Sequence, residues 1–256
     1  MLVVFLRLLQ TEFMLWHENI KDKLINLVIW ASATAIVSGY IMQAFGVQSN
    51  YGVIQAGGII VAAAGFEMYG HVFAMTSDLE GIRYINYHFI LPVSNWVIFA
   101  AKAAFFVFNC MMLTLLALPL CKVLLWKHFS LLDINYPRFF LALLVTNLFF
   151  AGYCLWLSSK VTKAADVDNV FMRFIFPLWY FGCFSFTWFA AYAISPVLGI
   201  LCLVSPYTYA TEAIRASMLG AQGYMSFWLC ITILVVMSLF AAGIGYNSLK
   251  KRLDFI

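Results

Sequence analysis

Two pairs of ionisable side chains lie at helical spacing inside strongly apolar sequence. Glu67 and His71 are four residues apart, and Glu212 and Arg215 are three residues apart. Residues at these spacings share one face of a helix. A carboxylate beside an imidazole can bind a metal ion or relay protons, whereas a carboxylate beside a guanidinium forms a local ion pair. Both pairs are therefore candidates for a functional site, with simple charge neutralisation as the alternative for the second pair.

Metal-dependent and hydrolytic chemistry have less support in the residue pattern. A metal site needs three or four ligands, and His17, His88 and His128 are expected at or beyond the membrane interfaces. The chain contains no H-E-x-x-H motif and no G-x-S-x-G nucleophile turn. An intramembrane enzyme is thus the weaker alternative. An ion- or proton-coupled carrier that uses Glu67 and His71 remains open.

Lys102 is a further ionisable residue inside an apolar run, about two turns from the start of that run. A lone ammonium at the centre of a membrane helix costs roughly 2.5–3.5 kcal/mol, and less near a helix end. Its long side chain can reach the nearer membrane surface. Alternatively, it forms a salt bridge to Glu67 that ties the second membrane span to the third.

Composition places these residues in an all-α integral membrane protein. Hydrophobic residues make up 64% of the chain, charged residues make up 10%, and the mean hydropathy is +0.93. Soluble domains are about half apolar and about a quarter charged. The apolar runs exceed the length of a membrane β-strand, so they predict helices. The net charge of +4 is small and scattered, which argues against nucleic acid as a partner.

The hydropathy pattern predicts one transmembrane domain over residues 1–256 with six helical spans, each long enough to cross about 30 Å of hydrocarbon. Pro177 is expected to kink the fifth span. An amphipathic helix over residues 1–23 is expected to lie at the membrane interface and lead into the first span. The predicted spans are Leu24–Phe45, Tyr51–Met75, Trp96–Cys121, Phe139–Leu157, Phe171–Ala191 and Met225–Tyr246.

Lysine and arginine placement predicts the orientation. With the N-terminus in the cytoplasm, ten basic residues fall on the cytoplasmic side and four on the other side. This bias follows the positive-inside rule and predicts that both termini are cytoplasmic. The ten residues are Arg7, Lys21, Lys23, Arg83, Lys160, Lys163, Arg173, Lys250, Lys251 and Arg252.

A short amphipathic segment, residues 76–95, separates the second and third spans. Ser77 and Glu80 have the spacing of a capping box at a helix start. Pro92 closes the segment, because the residue before a proline is pushed out of the helical region. Leu79, Ile82, Ile85 and Phe89 recur at helical spacing on one side. The pattern predicts a cytoplasmic helix on which another protein could act.

Residues 192–224 are too polar for a regular span and too apolar for a free loop. Pro196 and Pro206 each follow a serine and predict two helix starts, since proline fits the first helical turn. Gly220 and Gly223 are expected to close the second helix. The segment therefore predicts two short re-entrant helices that enter the outer leaflet and return.

Three motifs occur in order along the chain: D-L-E-G at 78–81, then L-P-V-S at 91–94 with Lys102 eight residues later, then S-P-Y-T-Y-A-T-E-A-I-R at 205–215. Their order and spacing resemble the permeases of ABC type-2 exporters. With six spans and an N-terminal helix, the resemblance covers the whole chain.

This resemblance implies a homodimer of six-span permeases bound to two copies of a cytoplasmic ATPase. Residues 76–95 would form the coupling helix that contacts the ATPase. The chain has no G-x-x-x-x-G-K-[ST] phosphate loop, so ATP and magnesium would be bound by the partner, and no cofactor is expected here. The matching coupling residues are Ser77, Asp78, Glu80, Gly81, Arg83 and Pro92.

The resemblance further implies a multi-pass protein of the bacterial cytoplasmic membrane. Its substrates would be polysaccharides, lipid-linked glycans, or drugs and other amphiphiles, and no residue separates these classes. The candidates for the translocation path or its gating are Glu67, His71, Lys102, Glu212 and Arg215.

Overall fold

The computed structural model describes residues 2–48, 50–81, 85, 94–126 and 130–254. Regular secondary structure in these ranges is helical. In chain order the helices are α1, Leu2–Ile36; α2, Tyr51–Glu80; α3, Asn95–Leu124; α4, Tyr136–Lys160; α5, in three segments, Val167–Val170, Phe171–Ile175 and Phe176–Phe181; α6, Trp188–Ile194; α7, Pro196–Val204; α8, Pro206–Leu219; and α9, Phe227–Asp254.

Five helices in the described ranges are long and apolar enough to cross a membrane. They correspond to the first, second, third, fourth and last predicted spans, which confirms a multi-pass helical membrane protein. The spans are Asn19–Ala44, Tyr51–Glu80, Asn95–Leu124, Tyr136–Lys160 and Phe227–Arg252.

The predicted fifth span, Phe171–Ala191, is wrong as a single kinked helix. Its first part is α5, which contains a π-helical turn at Phe171–Ile175 directly before Pro177. A proline cannot donate the next helical hydrogen bond, and a π-turn accommodates that loss. The helix then ends at Phe181, and Cys183 has a left-handed φ of 58°. A non-helical segment, residues 182–187, separates α5 from α6.

The two predicted helix starts before the last span are confirmed. Pro196 and Pro206 occupy the first turns of α7 and α8, and the two helices meet at an angle of 98°. Gly220 and Gly223 have φ values of 91° and 83°, a backbone conformation that favours glycine, and they follow the end of α8. The hydroxyl of Ser205, between α7 and α8, donates to the Leu178 carbonyl of α5 at 2.6 Å.

The predicted helix start at Ser77 is wrong, because Ser77 lies inside the last turns of α2. Residues 73–80 contain no glycine or proline, so the helix of the second span continues to Glu80. Gly81 ends it, with non-helical angles of φ −101° and ψ −109°. Residues 82–84 and 86–93, which include Arg83 and Pro92, lie outside the described residues.

Residue 23 is not a helix boundary, since α1 runs without a break through it. The first half of α1 packs along α3 in parallel orientation: Leu8 contacts Ile98 and Ala101, and the Phe13 ring lies 5.6 Å from that of Phe105. Further along, the Tyr40 hydroxyl donates to the Leu124 carbonyl at 2.6 Å. The apolar face expected for residues 1–23 is therefore covered by a neighbouring span.

The start of α1 and the end of α9 lie at the same end of the bundle. Trp96, at the start of α3, stacks on Tyr246 of α9 with ring centroids 4.9 Å apart. Arg252 near the end of α9 donates to the carbonyls of Ser158 and Val161 at the end of α4, both at 2.6 Å. We call this the terminal end. The C-terminal end of α8 lies at the opposite end of the bundle, where Asn135 N, just before α4, donates to Ser217 O at 2.9 Å.

Candidate functional site

A polar cluster lies at mid-length of α2 and α3. Oε2 of Glu67 is 2.6 Å from Nζ of Lys23 in α1 and accepts a hydrogen bond from Nδ2 of Asn109 in α3 at 2.7 Å. Both side chains of the ion pair are partly buried. Glu67 therefore joins three helices at the depth where an unpaired charge would be most costly.

His71 belongs to the same cluster through Asn109. The indole N–H of Trp16 donates to Oδ1 of Asn109 at 2.5 Å, and this fixes the orientation of the amide because an indole nitrogen can only donate. Nδ2 of Asn109 then faces Nε2 of His71 at 3.2 Å. Nε2 must therefore accept, so the geometry is that of a neutral imidazole. Oε2 of Glu67 and Nε2 of His71 are 3.8 Å apart.

Lys102 pairs with Glu12, so the alternative in which it forms a salt bridge to Glu67 is wrong. Nζ of Lys102 lies 2.9 Å from Oε1 of Glu12. The N-terminal part of α1 runs beside α3 and supplies the carboxylate, while Lys23 already neutralises Glu67. A small cavity of about 40 Å³, bordered by Glu12, His71 and Lys102, separates this pair from the imidazole.

Sequence reasoning missed the α1 and α3 members of the cluster. Glu12, Trp16 and Lys23 lie at offsets of four and seven residues, which place them close to one face of a continuous helix. A helix boundary at residue 23 separates Lys23 from Glu12 and Trp16, so the shared face is visible only when α1 is continuous. Asn109, an isolated amide within an apolar span, was the other available signal.

The expected Glu212–Arg215 ion pair is present and lies in the protein interior. Oε1 of Glu212 and Nη1 of Arg215 are 3.4 Å apart, and both side chains are 0% exposed. Arg215 also donates to three backbone carbonyls: Nε to Ile54 at 2.8 Å, Nη1 to Phe186 at 2.8 Å and Nη2 to Phe184 at 2.9 Å. The guanidinium therefore ties α8 to α2 and to the non-helical segment 182–187.

The carboxylate of Glu212 extends the same network. Its Oε1 accepts from Trp188 N, at the start of α6, at 3.1 Å, and its Oε2 accepts from Met225 N, before α9, at 3.0 Å. Gly57 leaves the space for Arg215, because a Cβ there would lie 2.7 Å from Cγ of the arginine. The backbones of α2, segment 182–187, the start of α6 and the residues before α9 are thus attached to one buried ion pair, which we call the Glu212–Arg215 clamp.

The candidate coupling residues that the structure describes lie at the terminal end. Oε2 of Glu80 accepts from Ala164 N at 2.8 Å, and Oδ2 of Asp78 accepts from Ile85 N at 2.9 Å. The Glu80 side chain is exposed, yet it is also hydrogen-bonded to the α4–α5 connection. About three helical turns earlier in α2, the hydroxyl of Tyr69 donates to Asp168 of α5.

Two cavities flank α2 and share Phe66 as a wall. One, of about 490 Å³, lies between α2 and α5 and is bordered by Tyr69, Asp168 and Trp179 among others. The other, of about 320 Å³, lies between α1 and α2. Both fall in the range of ligand-binding cavities in proteins, about 300–1,000 Å³.

Comparisons with known protein families and with curated proteins give no match to this chain. The fold defines the chain as a multi-pass helical membrane protein. No three His, Cys, Asp or Glu side chains come together as a metal-binding group within the described ranges. Any more specific assignment therefore depends on the site geometry and on the motif order in the sequence.

Proposed function

We propose that this chain is the membrane-spanning permease subunit of an ATP-driven exporter of the ABC type-2 class. In this proposal two copies pair in the bacterial cytoplasmic membrane, with both termini in the cytoplasm, and a separate ATPase subunit hydrolyses ATP. The motif order supports the class, and the five long apolar helices with the bent α7–α8 pair supply a compatible scaffold.

The observation that carries the proposal is the position of the α2 C-terminus. The carboxylates of Asp78 and Glu80 lie in its last turn, at the same bundle end as both termini. Lys160, Lys163 and Arg252 belong to this end as well, and a basic end is typical of the cytoplasmic side. A partner that docks here would act on the end of a 30-residue rigid helix.

The contacts of α2 provide a route from that end into the membrane. Motion of the last turn would reach the α4–α5 connection through the Glu80–Ala164 hydrogen bond. Tyr69 and Asp168 make a second connection to α5, and both line the 490 Å³ cavity. Movement of α2 relative to α5 would therefore change the shape of that cavity.

Co-purification and ATP hydrolysis test the proposal. The full chain would be expressed with each ABC ATPase subunit of its own organism in turn, and the resulting complex purified in lipid nanodiscs. We expect Glu80→Ala to leave membrane insertion intact and to reduce ATP hydrolysis by the complex several-fold, because interface charges set register. Asp133→Ala is the matched control, since Asp133 is an exposed carboxylate at the opposite end. Purification of an active transporter with no ATPase would overturn the proposal.

The cluster at mid-length of α2 favours a second candidate, an ion- or proton-coupled carrier. Lys23, Glu67, His71 and Asn109 form a connected polar group at membrane depth. Such groups mark ion and proton pathways in membrane proteins. Substrate movement in proteoliposomes that requires an imposed ion gradient, proceeds without any ATPase and is lost in Glu67→Gln would favour the carrier over the exporter.

A further inference from the structure

The 320 Å³ cavity between α1 and α2 has a polar end and an aromatic end. Lys23, Asn26 and Trp30 lie three and four residues apart, so one face of α1 presents an ammonium, an amide and an indole in succession. From α2, Glu67 lies at the polar end and Phe66 at the aromatic end. This gradation matches an amphiphile with a polar head and an apolar body.

The ion pair at the polar end is electrically balanced but retains hydrogen-bonding capacity. Nζ of Lys23 carries three donors, and its one bond among the described residues is to Oε2 of Glu67. Oε2 also accepts from Asn109, whereas Oε1 of Glu67 has no donor within the described part of the chain. A net-charged head gains little from a neutral pair, and a zwitterion would have to separate charges that lie 2.6 Å apart. Hydroxyl groups both donate and accept, so they can bind the pair without opening it.

The aromatic end supplies flat apolar faces. The ring of Phe66 lies 4.8 Å from that of Trp30 and 5.7 Å from that of Trp179, in edge-to-face arrangements. Phe66 is 39% exposed, which leaves a large part of its ring open to a ligand. Trp16 and Trp188 use their indole N–H groups within the protein, whereas those of Trp30 and Trp179 find no acceptor among the residues described. An indole N–H without an acceptor in the protein can donate to a ligand hydroxyl.

Phe66 also separates this cavity from the 490 Å³ cavity on the other side of α2. The second cavity is mostly apolar, with Trp179 beside Phe66 and the Tyr69–Asp168 hydrogen bond as its polar part. Phe66 lines both spaces and is therefore the side chain past which a ligand would extend from one to the other. An extended ligand could then place its head against the Lys23–Glu67 pair and its apolar portion along α5.

We propose that the groove between α1 and α2, lined by Lys23, Asn26, Trp30, Phe66 and Glu67, binds an uncharged, hydroxyl-rich amphiphile of the glycolipid class. The site lies within a single subunit. Its use as a station for a transported substrate rests on the proposed function, whereas the binding itself requires neither nucleotide nor ATPase.

The test measures lipid retention by the full chain alone. The purified protein in a sugar-free detergent would be mixed with equimolar monoglucosyl diacylglycerol, phosphatidylcholine and phosphatidylglycerol of identical acyl chains. Native mass spectrometry would then count the bound lipids. We expect the glucolipid to be retained about three- to tenfold more than either phospholipid, the scale of one or two aromatic and hydrogen-bonding contacts.

Two variants test whether the lipid binds in this groove, and a third variant outside it controls for a general effect on folding. Phe66→Ala and Asn26→Leu should each bring glucolipid retention toward the phospholipid level. Phe73→Ala is the matched control, since Phe73 is also on α2, is 44% exposed and lines neither cavity. Equal retention of the three lipids, a preference for either phospholipid, or a glucolipid preference that survives both Phe66→Ala and Asn26→Leu would overturn the proposal. Because no ATPase is present, these outcomes are independent of the exporter test.

Discussion

Glu212 and Arg215, one helical turn apart on α8, form an ion pair from which solvent is fully excluded. The arginine binds carbonyls of α2 and segment 182–187, and the glutamate binds the backbone N–H groups that precede α6 and α9. Such a pair contributes less net stability than its geometry implies, because both charges were desolvated. Its main effect is to hold segment 182–187, which separates α5 from α6, in a fixed position against α8.

Removing one partner of the clamp should be more damaging than removing both. Arg215→Met leaves a buried carboxylate without its counter-charge, and losses of about 3–5 kcal/mol are typical of such changes. The double variant Glu212→Gln/Arg215→Met should recover part of that loss. Thermal unfolding of the purified protein measures both, with the exposed Arg7→Met as control. Equal stability of Arg215→Met and wild type would show that the clamp has no structural role.

Two glycines of α2 should respond in opposite directions to alanine. At Gly57 the new Cβ would lie 2.7 Å from Cγ of Arg215, so the arginine must shift, at a cost of roughly 1–3 kcal/mol. At Gly70 nothing lies within 4 Å of the new Cβ, and alanine favours a helix interior over glycine by roughly 0.5–1 kcal/mol. Melting temperatures of the two variants provide the comparison. A Gly57→Ala protein as stable as Gly70→Ala would contradict the close contact.

A double-mutant cycle should couple Lys102 to Glu12 and not to Glu67. The side chains of the observed pair are 18% and 22% exposed, so solvent reduces the interaction. We expect a coupling energy of about 0.5–2 kcal/mol between Lys102→Met and Glu12→Gln, measured by unfolding in detergent. The cycle with Glu67→Gln should give a value near zero. The reverse result would mean that α1 does not pack along α3 in the membrane.

Topology can be tested with single cysteines in a cysteine-free background. Lys163 and Lys250 belong to the terminal end, whereas Asp133 and Gln222 belong to the opposite end. In intact cells, a membrane-impermeant thiol reagent should label cysteines at 133 and 222 and spare those at 163 and 250. Labelling of position 163 and protection of position 222 would reverse the orientation and exclude cytoplasmic coupling through Glu80.

The sequence by itself determined the features that depend on local chemistry. Apolar run length identified the five long membrane helices, because a bilayer requires about 20 apolar residues regardless of neighbours. Pro196 and Pro206 marked two helix starts, since proline fits the first turn of a helix and disrupts the later turns. The pairing of Glu212 with Arg215 followed from their three-residue spacing alone.

Only the tertiary structure decided which distant polar groups meet. Lys23 and Glu67 are 44 positions apart, and Lys102 and Glu12 are 90 apart, so their pairing depends on which helices are neighbours. Helical periodicity gives the face of each helix but not its neighbour. In lipid the apolar faces of different helices are nearly equivalent, and packing together with polar contacts selects the partner. The course of α1 along α3, and with it the polar cluster around Glu67, therefore could not be read from the pattern of residues.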